Sequence, residues 1–383
     1  MGLFDLSNKK LIKSCHPILA DFFKNHLKDY INLFFYEKDL ALAGLNLTPL
    51  MKVGILEKID GKFRARVQVY PLSGRFICTD FFKSRHRTLK HKDFSTIYLT
   101  DRDGVWGILD DETPILAKRN ITQLGDIVLD LATGSGMIAI FCASKAKKVI
   151  GTDINPKAIN YATFNAILNS VEDKVEFRLG DLFKPVEGEK FDLIIWNGPT
   201  VAVPETKGNK YPIYSDGGQD GAEFTRRFIN EAFDFLKPNG KLQWYDCAMG
   251  NEKLPVSMDY AKNKWGNKKV KITYKSLTST PVNLQKSYQI FAKYNLNPKN
   301  NFLTPLASKR VTIKEEAHWH KWLAKKGFTS VYYALVEVVP ADKFEFDIIF
   351  PKKDLRTDRY LTQYWLFMSY PTILKHLQKA EQW

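Results

Sequence analysis

The chain has 383 residues, 44% hydrophobic and 26% charged, with a formal net charge of +15. That length admits one large domain or two to three of about 100–200 residues, and the composition excludes a disordered or fibrous chain. No run approaches the ~18 apolar residues of a membrane span, the N-terminus lacks a secretory pattern, and Leu6 stands where a myristoylation signal has Ser or Thr. The four scattered cysteines give neither a disulfide framework nor a zinc site, so the expectation is a cytoplasmic protein without a metal.

Residues 8–29 carry apolar side chains at helical spacing: Leu11, Ile12, Cys15, Ile18, Leu19, Phe22, Phe23 and Leu27. From Phe63 to Tyr70 the pattern alternates, with Phe63, Ala65, Val67 and Val69 on one face and Lys62, Arg64, Arg66 and Gln68 on the other. Pro71–Gly74 supplies a turn and residues 75–79 a second strand, a hairpin with a basic outer face. Residues 1–104 therefore read as an α+β accessory domain. The cluster Lys83, Arg85, Arg87, Lys90 and Lys92 stands beside Phe81, Phe82 and Phe94, where it could contact phosphates or lie on a solvated loop.

From Asp126 short apolar strands alternate with helices, the signature of a parallel sheet with crossovers. Strands are predicted at 127–131, 148–153, 175–179, 191–197 and 241–247, with helices at about 136–145, 156–169 and 220–236. The lysine- and asparagine-rich stretch 250–315 breaks this rhythm and reads as a lobe inserted after the fifth strand. A helix at 315–326 capped by Gly327, strands at 329–339 and 344–350, and a last helix at 361–379 complete the second domain, residues 105–383. His318 and His320, two apart on a helix, do not share a face and make a poor metal pair. Charge is uneven: residues 1–120 carry 20 Lys/Arg against 14 Asp/Glu, 121–240 carry 13 against 16, and 241–383 carry 24 against 12. Basic ends of this kind attract RNA or another acidic macromolecule, or are merely solvated.

The chemistry lies in the acidic centre. Asp130 ends the first predicted strand, and Gly134 and Gly136 follow in a turn where the backbone can approach a ligand. Asp153 ends the second strand 17 residues after Gly136, placed to accept ribose hydroxyls. Gly134-Ser-Gly-Met-Ile-Ala139 also fits a dinucleotide fingerprint. A pyrophosphate, however, would meet the charge of Asp130, whereas a cationic amino group would be attracted to it. The third and fourth strands end in Gly180-Asp181-Leu182 and Asn197-Gly-Pro-Thr200, so four successive strand ends point at one crevice.

The segments Asp130-Leu-Ala-Thr-Gly-Ser-Gly136, Gly151–Asn169, Phe177-Arg-Leu-Gly-Asp-Leu-Phe183 and Phe191–Thr200 resemble the successive motifs of class I S-adenosylmethionine-dependent methyltransferases. Asp110–Leu116 and Ser215–Gly221 resemble further segments of the release-factor glutamine and ribosomal-RNA guanine-N2 methyltransferase subgroup. The resemblance spans about residues 105–248 and implies a Rossmann-like sheet with helices on both faces. It implies S-adenosyl-L-methionine as cofactor, with Asp130, Ala132, Gly134 and Gly136 at its methionine end. Asp153 would take the ribose, Asp181 and Leu182 the adenine, and Ile154 would pack on the adenine face. Asn197, supported by Pro199, would accept a hydrogen bond from the target nitrogen and touch the cofactor.

This chain departs from that pattern at two places. Ala132 replaces a glycine, and Asn197-Gly-Pro-Thr200 stands where the subgroup has Asn/Asp-Pro-Pro-Tyr/Phe, so Gly198 and Thr200 alter the acceptor side. Tyr211 or Tyr214 could replace the missing ring. The reading is methylation of a nitrogen on RNA or a protein side chain. Its rivals are a small-molecule acceptor, a nicotinamide-dependent oxidoreductase and a non-catalytic cofactor-binding module.

Overall fold

In the computed structural model the apolar stripe near the N-terminus folds as two helices, α1 (Lys9–Asn25) and α2 (Leu27–Phe34). Asn8 caps α1 by accepting the Leu11 N–H, and the helix breaks at His26, whose φ/ψ of −133°/42° is not helical. The structure describes residues 4–35, 38–81, 103–105, 112–200, 213–214, 216–284, 286, 321–322, 324–355 and 370–382. They belong to two compact units, the first comprising residues 1–86, 104–185 and 369–383, the second 87–103 and 186–368.

The first unit continues with α3 (Thr48–Lys52) and four short strands, β1 (Leu56–Ile59), β2 (Lys62–Ala65), β3 (Gln68–Leu72) and β4 (Arg75–Thr79). The single strand expected over 63–70 is in fact split at Arg66–Val67. β2 pairs with β1, and β3 pairs with β4, both antiparallel. The expected alternation holds through β2 and its exit, where Lys62 and Arg66 are exposed and Phe63, Ala65 and Val67 buried, but β3 is buried along its whole length, so the basic face ends before Gln68. The Tyr30 hydroxyl donates to the Val69 carbonyl at 3.1 Å. The Tyr70 hydroxyl is 2.8 Å from Nε2 of His376, on the C-terminal helix Tyr370–Ala380. A polar tip with a buried partner lets tyrosine go inside, which is why the alternation does not continue to Tyr70. Arg64, expected on the basic face, is bound to both carboxylate oxygens of Asp39 at 2.9 and 2.8 Å.

The unit proceeds through α4 (Glu112–Lys118), β5 (Ile127–Leu131), α5 (Met137–Cys142), β6 (Lys148–Asp153), α6 (Pro156–Leu168) and β7 (Val175–Leu179). β5, β6 and β7 are parallel neighbours in that order, at the positions the sequence predicts. Helix α6 joins this sheet to the N-terminal segment. Its Ala158, Tyr161, Phe164, Ile167 and Leu168 share one apolar core with Ile12, Cys15, Leu19 and Phe22 of α1. Phe4 stacks on Phe164 with ring centroids 3.8 Å apart. On the edge of β4 the Asn165 amide accepts the Cys78 N–H and donates to its carbonyl, each at 2.8 Å. Asn169 does the same for Phe76 at 3.0 and 2.8 Å. Two asparagines one helical turn apart thus occupy the hydrogen-bonding edge that another strand would otherwise take.

The second unit contains β8 (Phe191–Trp196), α7 (Glu223–Glu231), β9 (Leu236–Gly250), α8 (Val256–Trp265), β10 (Val270–Ser276), β11 (Val282–Asn283), β12 (Ser330–Pro340) and β13 (Glu345–Ile349). Its strand order is β8-β9-β12-β10-β13. β8 and β9 are parallel, β12 runs antiparallel to β9 and β10, and β13 is parallel to β10. Residues 256–276, read from sequence as part of an irregular lobe, form α8 and β10. Their lysines mask a regular pattern in which Val270, Ile272, Tyr274 and Ser276 are buried alternately. The rest of that stretch to residue 315 lies outside the described residues, apart from 277–284 and 286. So do the cluster Lys83–Lys92, the pair His318/His320, and Tyr211. Among the described residues no helix is long and apolar enough to cross a membrane.

Candidate functional site

Everything starts at the carboxyl end of β5. Asp130 is fully buried. Its Oδ2 accepts the Thr133 hydroxyl at 2.6 Å and the Ala139 N–H, in the first turn of α5, at 3.1 Å. Its Oδ1 is buried with no hydrogen-bond partner among the described residues. Burial pushes the carboxyl up to about 7 against those two hydrogen bonds, and the nearby Asp153 charge adds to the rise. An unpaired buried carboxylate oxygen is costly on its own and calls for a donor, best a cationic one.

The turn between β5 and α5 has backbone conformations that few side chains tolerate. Ala132 has φ +54°, Gly134 +53° and Gly136 +78°. At Ala132 the left-handed conformation costs roughly 1–2 kcal/mol. The two glycines serve different ends. A Cβ on Gly134 would meet nothing within 4 Å, so the space beside this backbone is open. One on Gly136 would lie 2.9 Å from Ala162 Cβ and 3.0 Å from Phe177 Cζ, so glycine there lets α6 pack against the turn.

Asp153 closes the turn from β6. One oxygen accepts the Gly134 N–H and the other the Asn155 N–H, both at 2.9 Å. Burial nonetheless raises its pKa. Its carbonyl accepts the Gly180 N–H at 2.9 Å, and the Thr152 hydroxyl donates to the Leu182 carbonyl at 3.0 Å. The end of β7 is thereby tied to the end of β6. Leu182 has φ +48°, and Asp181 is half-buried with Lys184 Nζ 3.7 Å from Oδ2. At the same strand ends Ile154 is 54% and Leu179 56% exposed, unusual for such large apolar side chains. Asp130, Ala132, Gly134, Gly136, Asp153, Ile154, Asp181 and Leu182 are thus joined in the first unit by a few hydrogen bonds and short stretches of backbone. An orphaned carboxylate oxygen, open space beside a glycine and two bare apolar side chains near a carboxylate fit a cationic ligand bearing a ribose and a flat ring.

The loop after β8 belongs to the second unit. Asn197, Gly198, Pro199 and Thr200 are half-buried. A Cβ on Gly198 would fall 2.0 Å from Cη2 of the Trp196 indole. That ring is held by parallel stacking on Phe228, centroids 5.6 Å apart. No side chain can therefore stand at residue 198 while Trp196 keeps its place. The glycine turn that follows packs on the loop: a Cβ on Gly217 would lie 2.9 Å from Thr200 Cα. Tyr214, half-buried, stands three residues before Gly217.

Sequence reasoning missed three contributors. Thr133, which bonds Asp130, was visible as a hydroxyl three residues from the acid. Asn155 caps α6 by accepting the Lys157 N–H at 2.9 Å, and an asparagine before a proline is a recognised helix start. Asn165, whose Nδ2 also donates to the Ser135 carbonyl of the glycine turn at 2.9 Å, has no signal in the sequence.

Comparison with known proteins gives the chain a family. Residues 123–327 match the family model described as a methyltransferase domain, over half of the chain. A Methanocaldococcus jannaschii protein named as a protein N5-glutamine methyltransferase is 40% identical over 150 residues, 38% of this chain and 75% of its own length. A release factor glutamine methyltransferase of Thermodesulfovibrio yellowstonii is 36% identical over 145 residues, 34% of this chain but 51% of its own length. Among solved structures, an M. jannaschii tRNA m1G37 methyltransferase shares 17% identity and a TM-score of 0.39, covering 73% of this chain and 58% of that one. The chain belongs to the S-adenosylmethionine-dependent methyltransferase family.

Proposed function

We propose that the chain methylates a nitrogen of a macromolecular acceptor, a side-chain amide of a protein. The observation that carries this reading is the 40% identity to a protein named as an N5-glutamine methyltransferase over 75% of that protein's length. In this reading Asp130, Ala132, Gly134 and Gly136 hold the methionine end of the cofactor, and the orphaned Asp130 Oδ1 takes its ammonium group. Asp153 binds the ribose; Asp181, Leu182 and Ile154 hold the adenine. When bound, S-adenosylmethionine supplies a methyl group on a sulfonium.

The acceptor side falls to the loop after β8. The Asn197 side-chain oxygen accepts an N–H of the target nitrogen and so directs its lone pair, while Pro199 stiffens the loop. Gly198, Thr200, Tyr211 and Tyr214 border the acceptor. Positioning and exclusion of water suffice for such a transfer, and no strong base is required. Thr200 offers no aromatic ring to stack on a planar acceptor, whether amide or nucleobase, and this feature keeps a small-molecule acceptor as the second reading.

Transfer of a labelled methyl group from S-adenosylmethionine to a glutamine-containing peptide tests the proposal, with RNA and free glutamine as parallel acceptors. Label in the peptide is expected; label only in RNA or free glutamine would refute the protein-acceptor reading. Asn197→Ala should abolish turnover and leave cofactor affinity within about twofold, whereas unchanged turnover would remove its assigned role.

A further inference from the structure

A cavity of about 570 Å³ in the second unit lies among the start of β9, the start of β10 and the end of β12, and none of its lining residues is acidic. Four lysines line it: Lys190, Lys237, Lys268 and Lys269. Lys237 is neutralised by Asp192 at 2.7 Å. Among the described residues no carboxylate pairs with the other three. Lys190 Nζ donates to the Asp234 carbonyl at 2.5 Å, which fixes the ammonium without cancelling it. Lys268 Nζ sits 4.5 Å from the centre of the Phe233 ring, an arrangement that orients a cation at little desolvation cost. Lys269 is exposed. A concave surface lined with one sign of charge focuses the field and concentrates counter-ions.

In the chain just after Lys268 and Lys269 two further lysines are cancelled, Lys271 by Asp347 at 2.8 Å and Lys275 by Glu337 at 2.6 Å, so the field is that of the cavity lysines themselves. Lys190 immediately precedes β8 and Asn197 immediately follows it. The six residues of that strand separate the cavity from Asn197 by about 20 Å, at ~3.3 Å per residue. A small acceptor held at Asn197 cannot reach the lysines. A ligand that used both would have to be a long polyanion.

We propose that this cavity is an exosite for phosphate groups of an RNA backbone, remote from the methyl-transfer site and independent of which atom receives the methyl group. Ammonium groups suit it because they neutralise phosphates as point charges without reading sequence.

The test compares full-length protein with the triple variant Lys190→Gln, Lys268→Gln, Lys269→Gln. A control, Lys24→Gln, Lys28→Gln, Lys52→Gln, loses the same charge from exposed positions of the first unit. Affinity for a labelled mixed-sequence single-stranded RNA is measured by fluorescence anisotropy over a salt series, with melting temperatures to confirm folding. The cavity variant should lose about 2 from the slope of log affinity against log salt, as three phosphate contacts at ~0.7 each require. The control should keep the parent's slope. Equal slopes for parent and cavity variant, or equal losses in both variants, would overturn the proposal. So would saturable binding of inorganic pyrophosphate, abolished in the cavity variant, by a protein that does not bind RNA.

Discussion

The substitution Asp130→Asn separates the energetic burden of this carboxylate from its use. Its pKa is raised from 3.8 to about 7 by burial, a shift corresponding to at most about 4 kcal/mol. Between those pH values the folded chain holds a proton that the unfolded chain has released. Folding stability therefore falls as pH rises, and the loss is complete above the folded value. The amide that replaces the carboxyl would not titrate. It would place a nitrogen where Oδ1 now lacks a partner, a penalty of ~1–3 kcal/mol that does not vary with pH. Asp246, likewise raised to about 6 by burial, titrates in both proteins and cancels. The melting temperature of the variant minus that of the parent should thus climb by about 5 °C or more from about pH 4.5 to 8.5, at roughly 2–4 °C per kcal/mol. Titration calorimetry supplies the second reading. The parent should bind S-adenosylmethionine more weakly as pH falls through about 7, and the variant at least about 10-fold more weakly than the parent at high pH, as loss of a charged hydrogen bond implies. Melting curves that stay parallel across this range, with cofactor affinity indifferent to pH and substitution, would refute the reasoning.

Gly198→Ala should lower stability by about 1–3 kcal/mol, because its Cβ meets the pinned Trp196 indole at 2.0 Å; Trp196→Leu in the same chain should return part of that loss, and strictly additive losses in urea unfolding would count against the clash. Asn165→Ala should cost about 3 kcal/mol, since it removes one hydrogen bond from the Cys78 N–H and two to the carbonyls of Cys78 and Ser135, and it should expose the N-terminal segment to limited proteolysis. A variant as resistant as the parent would show that the apolar core of α1 and α6 suffices.

The parts of the fold legible in the sequence are those whose cause is local. The strands 127–131, 148–153 and 175–179 stand where predicted because each is a short run between turn residues. The glycine turn is legible because Gly134 and Gly136 occupy positive-φ positions directly after a strand. Failures arose where partners are distant. Tyr70 is buried with its hydroxyl 2.8 Å from Nε2 of His376, a partner 306 residues away in sequence. Lysines hid β10 because its exposed face is charged while its buried face is not. Gly198 reads from sequence as an alteration of the acceptor side; in the structure the Trp196 ring takes the volume of its absent side chain.

Asn165 shows why the first eighty residues cannot be understood apart from the glycine turn after β5. Its amide has two N–H donors and a carbonyl acceptor, and each is used: the donors on Cys78 O and Ser135 O, the acceptor on Cys78 N–H. One side chain therefore holds both the edge of β4 and the residue between Gly134 and Gly136. Asp80, just beyond β4, repeats the connection at the start of α6, accepting from Lys157 Nζ at 2.6 Å and the Tyr161 hydroxyl at 2.7 Å. Lys157 follows Asp153 by four residues, so the N-terminal segment braces the helix that begins just after that carboxylate. A turn that carries a strained Ala132 and an unpaired Asp130 oxygen gains support from packing on its far side, and here that packing comes from the N-terminal segment.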